Sequence, residues 1–287
     1  MGFPERQFAE AAIGDIVEDF FANGCVLLRN FVDIARALQV LDLTQRLYRE
    51  VGKAHVFEQD LLDREYPRLS AYLFEEPHWQ LLRSIFGSYD FQVNDGGTHA
   101  RRVSPPGAQE GWQTPLGYHL DAMVHSFEFT INFWIPLRAC GVEAPSLAVV
   151  PAPFGEIMEF TGFDGEPPEN YGPEDLGEGA WFSHHFDPLI RAAASGEATA
   201  NARIRKHFGE RLWEPSYQVG DAMMLSNWTL HGTHATTAMT QSRENVELRF
   251  STTASLFEIA GTRASSGLLP ISHTWAGSRR KSARSSR

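Results

Sequence analysis

The segment GYHLDAMVHSF (117–127) places a histidine, His119, two residues before a carboxylate, Asp121. In a β-strand, residues two positions apart have their side chains on the same face, because successive Cβ atoms alternate between faces. An imidazole and a carboxylate held side by side can supply two of the three protein ligands of a mononuclear non-haem iron site. The same two residues can also form an ordinary hydrogen-bonded pair on a sheet. The spacing alone therefore leaves both interpretations open.

A third ligand is available downstream, in GDAMMLSNWTLHGTHATT (220–237), which contains His231 and His234. The Gly-Asp turn signal that opens this stretch is followed by an apolar run, which predicts a strand over 222–231 that is long enough to cross a barrel. On a regular strand the two histidines face opposite sides, so only one of them can join the site. We predict His231, which ends the apolar strand. Two histidines and one carboxylate with open coordination positions are the facial arrangement of non-haem Fe(II) oxygenases.

Two arginines follow in TQSRENVELRFSTT (240–253): Arg243 lies 12 residues after His231, and Arg249 six residues further on. On a regular strand both side chains share one face. An arginine inside a barrel is costly unless it meets an anion, and its planar guanidinium can bind a carboxylate through two hydrogen bonds. If the co-substrate is a dicarboxylate, an inward arginine of this strand can bind its far carboxylate. The alternative for each arginine is a solvent-exposed strand end.

The elements that must position these residues change character along the chain. Helical periodicity and glycine stop signals predict three N-terminal helical segments, at 7–24, 34–52 and 68–87. From about residue 91 the pattern becomes short β-branched and aromatic stretches separated by Gly, Pro and Asp turns, which predicts strands. The expected fold is mainly β with flanking α: N-terminal helices followed by a β-barrel.

One long segment, 152–215, interrupts the strand pattern. It begins as an acidic loop rich in Gly and Pro and continues into a predicted helix at about 186–211. Connections of this length are usually functional, which suggests a lid. We predict one domain over 1–265 that contains this insertion. The basic, Ser-rich residues 266–287 are predicted to be a disordered tail.

The composition of the chain argues against some classes of binding partner. The 287 residues carry a net charge of −11, which argues against nucleic acid, since phosphate binding needs a basic face. No apolar stretch approaches the ~20 residues of a membrane span. The two cysteines, Cys25 and Cys140, lie in apolar runs and are expected to be buried thiols of a reducing compartment. We therefore expect a cytoplasmic protein, monomeric or homodimeric, that contacts neither nucleic acid nor membrane.

The order of these features resembles the phytanoyl-CoA dioxygenase family of Fe(II)/2-oxoglutarate oxygenases. The resemblance runs from the N-terminal helix through NGCVLLRNF to about residue 255. It includes YHLD, FTINFWIPL, SLAVVP, GDAMMLSNWTLHGT and R-x5-RF. It implies a double-stranded β-helix (jelly-roll, cupin-like) core that binds Fe(II), 2-oxoglutarate and O2. It also implies oxidation of a small-molecule metabolite, with 2-oxoglutarate decarboxylated to succinate and CO2. Hydroxylation is the expected outcome, and desaturation, epoxidation and ring closure share the same site.

Residue by residue, the resemblance makes His119, Asp121 and His231 the catalytic iron ligands. Arg243 then corresponds to the residue that pairs with the C5 carboxylate of 2-oxoglutarate. Thr233, two residues after the distal histidine, matches a hydroxyl that binds the same carboxylate. The retained carboxylate at Asp121 argues against the related halogenases, in which a small residue takes its place.

Further positions follow from the same resemblance. Trp134 matches an aromatic residue that packs on the co-substrate, and Arg249 matches a position near the iron and the C1 carboxylate. Apart from these matched positions, the candidate substrate wall at the barrel mouth consists of Arg101, Arg102, Trp112 and the 152–215 insertion. An arginine facing the pocket there would favour an anionic substrate. Their alternative interpretation is a surface loop and an exposed cationic pair.

Two other functions remain open from the sequence. One is a catalytically silent jelly-roll domain that binds a small ligand or a protein partner, with His119 and Asp121 as a structural pair. The other is a cupin-type metalloenzyme that does not use 2-oxoglutarate, although such a site would leave Arg243 without a purpose. Because the loops that form the pocket diverge among relatives, the sequence does not identify the substrate.

Overall fold

A computed structural model describes residues 2–51, 55–57, 68–94, 98–107, 116–123, 128–162, 186–255 and 259. Three sequence predictions lie outside these residues: the role of Trp112, most of the acidic part of the insertion, and the basic tail. Within the described ranges, no helix has the length and apolar character of a membrane span.

The predicted N-terminal helices are confirmed, with shifted bounds. They are α1 (Ile13–Asn23), α2 (Ile34–Val51), α3 (Leu69–Leu73) and α4 (Glu76–Phe86). Helix α1 buries Ile16, Val17 and Phe20 and ends at Gly24, whose left-handed φ of 73° lets its N–H bond the Phe20 carbonyl. It starts later than predicted because residues 5–7 form an edge strand. The third predicted helix is two short helices, separated by extended residues around Glu75.

Ten strands are found in the described residues. They are β1 (Glu5–Gln7), β2 (Cys25–Arg29), β3 (His55–Phe57), β4 (Gln92–Val93), β5 (His99–Val103), β6 (Glu128–Pro136), β7 (Ser146–Val149), β8 (Ala222–Ser226), β9 (His231–His234) and β10 (Arg243–Ser255). The larger sheet has the order β1-β2-β8-β6-β10-β5-β3, with β4 also paired to β10, and β7 and β9 form a second sheet. This is the predicted jelly-roll core with flanking helices.

Side chains of the long central strands β6 and β10 point alternately to the two faces of the sheet, and each face borders a different buried region. On one face Phe133, Leu248 and Phe250 pack against the helices, and the rings of Phe133 and Phe250 both contact Phe74. On the other face lie Trp134 and the polar side chains of β10. Part of this inner face is covered by an apolar cluster that joins the two sheets, with members Cys25, Leu27, Trp134, Cys140, Ala144, Leu147, Val149, Trp213, Tyr217, Met223 and Leu225. The polar part of the inner face is where the candidate site lies.

The prediction of one strand over 222–231 is wrong. Strand β8 ends at Ser226, the chain turns, and His231 begins β9 in the other sheet. The Thr229 hydroxyl explains the break: it accepts the Ser226 N–H at 3.1 Å and donates to the Gly24 carbonyl at 2.5 Å, satisfying groups that a continuing strand would have paired. The alternation that distinguishes His231 from His234 therefore applies to β9 alone.

The insertion is helical where it is described. It contains α5 (Phe154–Phe160), α6 (Pro188–Ala194) and α7 (Ala198–Phe208). The single helix predicted at about 186–211 is thus two helices, divided at Gly196, whose φ of 89° is unfavourable for other residues. A lid function for the insertion stays a prediction. Both cysteines are buried free thiols, as predicted.

Candidate metal centre

His119, Asp121 and His231 converge in the barrel interior. The Nε2 atoms of His119 and His231 lie 3.8 and 3.7 Å from the same oxygen, Oδ1 of Asp121, and one potential ligand atom from each residue lies within 4.8 Å of the others. All three residues are buried. It is the one group of three or more metal-ligating residues found in the described part of the chain.

The two histidines are held together by backbone pairing. The N–H of His119 donates to the His231 carbonyl at 2.8 Å, and the N–H of His231 donates to the His119 carbonyl at 3.0 Å. The approach is so close that a Cβ on Gly232 would lie 3.1 Å from the backbone of Gly117. His119 forms only this isolated bridge, and Asp121 opens a short 3-10 turn, Asp121–Met123. The regular strand considered for the HLD segment is therefore wrong, although the convergence of the side chains is found.

The orientation of each imidazole is fixed by its own backbone. Nδ1 of His119 bonds the Gly117 carbonyl and Nδ1 of His231 bonds the Thr229 carbonyl, each at 2.8 Å. Because a carbonyl only accepts, both Nδ1 atoms carry the proton, and the Nε2 lone pairs are left facing Asp121. Burial, followed by the proximity of His231, lowers the pKa of His119 to about 4. The neutral, metal-binding form of this ring is thus the stable one.

Arg249 fixes the third ligand. Its Nη2 donates to Oδ2 of Asp121 at 3.0 Å and to Oε2 of Glu247 at 2.8 Å. One carboxylate oxygen of Asp121 is therefore bound by the arginine while the other faces the two histidines. Arg249 therefore lies beside the His–Asp–His group, and its role near a metal stays a prediction.

Glu247 was missed by the sequence reasoning. It is buried, pairs with Arg249 and lies 3.4 Å from Nε2 of His99. Burial alone would raise the pKa of Glu247, but His99, Arg249 and Arg101 together hold it well below its usual value. The signal was present: alternation from Arg243 to Arg249 places residue 247 on the same face as both arginines.

Arg243 is a buried cation without an acidic partner in the described part of the chain. It is 2% exposed, its Nη1 donates to the Ser146 carbonyl at 3.2 Å, and its Nε has no hydrogen-bond partner there. Burial, and then repulsion from Arg101, lower its pKa to about 10. A guanidinium in this state is ready to bind an anion, because burying an unpaired charge is strongly unfavourable.

Trp134 and Thr233 lie beside this arginine. The guanidinium carbon of Arg243 is 5.2 Å from the centre of a Trp134 ring, and the buried indole N–H of Trp134 has no acceptor among the described residues. Thr233 pairs with Leu147 on β7, one residue from the Ser146 carbonyl that binds Arg243. Its hydroxyl accepts the Leu116 N–H at 3.2 Å and so keeps its own proton for donation.

Of the three candidate substrate residues, the two that the structure describes do not lie together. Arg101 pairs with Asn245 of β10 and shares its inward face, whereas Arg102 is exposed on the outer face of β5. The structure thus keeps Arg102 away from the His–Asp–His group, because adjacent residues of a strand face opposite ways. Trp112 lies outside the described residues. His234 is also removed from the group, since its Nδ1 is 2.9 Å from Oε1 of Glu214.

Comparison with known proteins supports the fold. No family model and no curated protein sequence matches the chain. Among solved structures, the epimerase SnoN in complex with Fe3+, alpha ketoglutarate and nogalamycin RO aligns with a TM-score of 0.54 and 15% identity, over 84% of this chain and 83% of that chain. AviO1 from Streptomyces viridochromogenes Tue57 aligns with a TM-score of 0.52 and 14% identity, over 83% of this chain and 94% of that chain. HygX from Streptomyces hygroscopicus, with nickel and 2-oxoglutarate bound, aligns with a TM-score of 0.51 and 10% identity, over 82% of this chain and 85% of that chain. At these identities the likeness establishes a shared jelly-roll fold.

Proposed function

We propose that this protein is a non-haem Fe(II)/2-oxoglutarate-dependent oxygenase that hydroxylates a small-molecule metabolite. The observation that carries the proposal is the convergence of His119, Asp121 and His231, with both imidazole Nε2 lone pairs aimed at one carboxylate oxygen. The assignment to the phytanoyl-CoA dioxygenase family, and a cytoplasmic location, are part of the same proposal.

The donor set fits Fe(II). Two neutral imidazole nitrogens and one carboxylate oxygen, held on one side of a cavity, are the ligands that non-haem iron uses when it must keep coordination positions open. The tautomers are already correct, and Arg249 orients the carboxylate. In this arrangement the protein would need no rearrangement of its ligands to hold the ion.

The surroundings fit 2-oxoglutarate. Arg243 supplies a buried guanidinium without an acidic partner in the described residues. Thr233 of β9 supplies a hydroxyl and pairs with Leu147, the residue that follows Ser146 on β7. Residues 146 and 149 of β7, which lie beside Arg243 and His231, are separated by about 10 Å along the strand. A dicarboxylate can therefore reach towards the metal while Arg243 binds its far end.

When bound, the iron and 2-oxoglutarate supply the oxidising chemistry with O2, and 2-oxoglutarate is converted to succinate and CO2. The chain contributes position and exclusion of water. His119, Asp121 and His231 hold the ion, and Arg243 and Thr233 set the direction of the co-substrate. The apolar cluster that includes Trp134 and Tyr217 closes the end of the barrel beside Arg243 to solvent.

The solved relatives agree with this proposal in chemistry. SnoN is described with Fe3+, alpha ketoglutarate and nogalamycin RO, and HygX with nickel and 2-oxoglutarate. A metal ion and a 2-oxo diacid thus bind to jelly-roll proteins of similar fold. The small-molecule ligand of SnoN supports a metabolite as the substrate of this chain.

The test is an anaerobic titration of the protein with Fe(II) and 2-oxoglutarate, followed by visible absorption. We expect a weak metal-to-ligand charge-transfer band that is lost in Asp121→Ala and kept in Asp42→Asn, which alters an exposed carboxylate. Succinate release in air, dependent on an added metabolite, would extend the result to turnover. A wild-type protein that gives neither the band nor succinate would favour a catalytically silent jelly-roll domain.

A further inference from the structure

Arg101 is a third arginine of the barrel interior, and the proposed chemistry does not use it. Strand β5 pairs with β10 so that Arg101 lies opposite Asn245, between Arg243 at one end of the inner face and Glu247 and Arg249 towards the metal ligands. Residues directly opposite on an antiparallel pair share a face, so Arg101 faces the same cavity as these three side chains. Unlike Arg243, it is partly exposed.

The guanidinium of Arg101 makes no hydrogen bond or ion pair with another residue in the described part of the chain. The two carboxylates near it are already engaged: Glu247 with Arg249 and His99, and Asp121 with Arg249. Burial lowers the pKa of Arg101, while the charge of Glu247 acts in the opposite direction. A guanidinium with five donors thus faces the barrel interior without a hydrogen-bond or ion-pair partner among the described residues.

The charges of the inner face indicate what is missing. Among the described residues of this face, three arginines, Arg101, Arg243 and Arg249, stand against two carboxylates, Asp121 and Glu247. A divalent iron and a doubly charged 2-oxoglutarate cancel each other and leave this excess unchanged. One positive charge therefore remains, and in a cavity of low dielectric it is stabilised by one further anion.

We propose that Arg101 binds an anionic group, a carboxylate or a phosphate, of the primary substrate. This inference rests on the proposed function, since it assigns Arg243 to the co-substrate. The partial exposure of Arg101 supports the assignment: the fully buried Arg243 suits the internal co-substrate, whereas Arg101 can be reached by a molecule that enters from solvent. A guanidinium forms paired hydrogen bonds with either kind of anion.

The experiment measures the binding of matched probes to the anaerobic Fe(II)–2-oxoglutarate protein by calorimetry at constant ionic strength. The probes are benzoate, phenyl phosphate and the uncharged benzamide. Wild-type protein should bind at least one anion more tightly than benzamide, and the preferred anion shows whether a carboxylate or a phosphate is recognised. Arg101→Gln should weaken that binding by about tenfold or more, because a charge-assisted hydrogen bond is lost.

Two variants provide controls. Arg102→Gln removes the neighbouring guanidinium on the outer face and should bind the probes as wild type does. Arg101→Lys keeps the charge but not the planar donor pair, and should bind the anions with intermediate affinity, which guards against an effect of misfolding in Arg101→Gln. Equal loss in the Arg101 and Arg102 variants would overturn the inference.

The other outcomes are equally decisive. Equal binding of benzoate and benzamide by wild type, or binding of neither anion, would overturn the role of Arg101. Loss of 2-oxoglutarate affinity in Arg101→Gln would assign this arginine to the co-substrate and overturn it as well. Failure of wild type to develop the charge-transfer band would instead refute the proposed function, so the two failures are distinguishable.

Discussion

The backbone N–H of Tyr118 donates to the side-chain oxygen of Asn201 over 2.9 Å, which binds helix α7 of the insertion to the residue before the first proposed metal ligand. The amide nitrogen of Asn201 donates in turn to the carbonyls of Ala193 and Glu197, both at 2.9 Å. One side chain thus fixes the end of α6, the start of α7 and the HLD segment. The insertion therefore supports the metal centre directly.

Gly117→Ala should disturb this contact. A Cβ at Gly117 would lie 1.9 Å from the Ala193 carbonyl oxygen, so either the insertion or the HLD segment must move. We expect a loss of about 1–3 kcal/mol in the free energy of unfolding, together with weaker Fe(II) binding. Denaturant unfolding and metal titration measure the two effects. Gly14→Ala is the matched control, because a Cβ there meets nothing within 4 Å, and unchanged behaviour of both variants would contradict the packing described here.

His231→Ala and His234→Ala form a pair three residues apart on the same strand. His231 faces Asp121, whereas His234 contacts Glu214, so only the first substitution should abolish Fe(II) binding. Metal content after loading with Fe(II) or Co(II), measured by elemental analysis, decides between them. Loss of metal in His234→Ala with retention in His231→Ala would reverse the ligand assignment.

Arg243→Met should have opposite effects on the stability of the protein and on its affinity for 2-oxoglutarate. Replacing a buried cation that has no acidic partner in the described residues by an apolar side chain should raise the free energy of unfolding of the metal-free protein, by about 1 kcal/mol or more. The same change should weaken 2-oxoglutarate binding by about a hundredfold, measured by titration of the charge-transfer band. A large loss of stability would instead show that Arg243 has a structural anionic partner.

Glu247→Gln should change the response of the protein to acid. The pKa of Glu247 is depressed in the folded state, so its contribution to stability is present above its unfolded value of 4.5 and is lost as the pH falls through the folded-state value. We expect the variant to lose about 3–5 kcal/mol at neutral pH, since Arg249 loses a buried partner, and to lose stability less steeply below pH 4.5. Urea unfolding at several pH values measures both, with Glu10→Gln, an exposed carboxylate, as the control. A variant with the same acid slope as wild type would show that Glu247 is not the responsible group.

Residue type and spacing were sufficient to predict His119, Asp121, His231 and the inward arginines of β10. The prediction of the His–Asp–His group depends on chemistry that needs particular side chains, whereas the prediction of the inward arginines depends on alternation within one strand. The strand expected for 222–231 failed because a threonine side chain, hydrogen-bonded to the distant Gly24, ends β8. Such a tertiary contact has no local signature in the sequence.

The charge relationships across strands were also beyond the sequence. Arg101 acquires its place from the register between β5 and β10, which brings residues almost 150 positions apart to the same face, and the same register places His99 beside Glu247. The separation of Arg101 from Arg102 is a consequence of the same register. The contact of Asn201 with Tyr118 depends on how the insertion folds back, and nothing in either local segment indicates it.

The hydrogen bonds from the two imidazole Nδ1 atoms to the carbonyls of Gly117 and Thr229 have a consequence for assembly. Each ring is anchored two residues back on its own chain, so its direction is set as soon as the backbone folds. The metal ion therefore binds after the protein has folded, and folding of the site does not require it. We expect that metal can be withdrawn, exchanged for another divalent ion and restored in the folded protein, without passing through an unfolded chain.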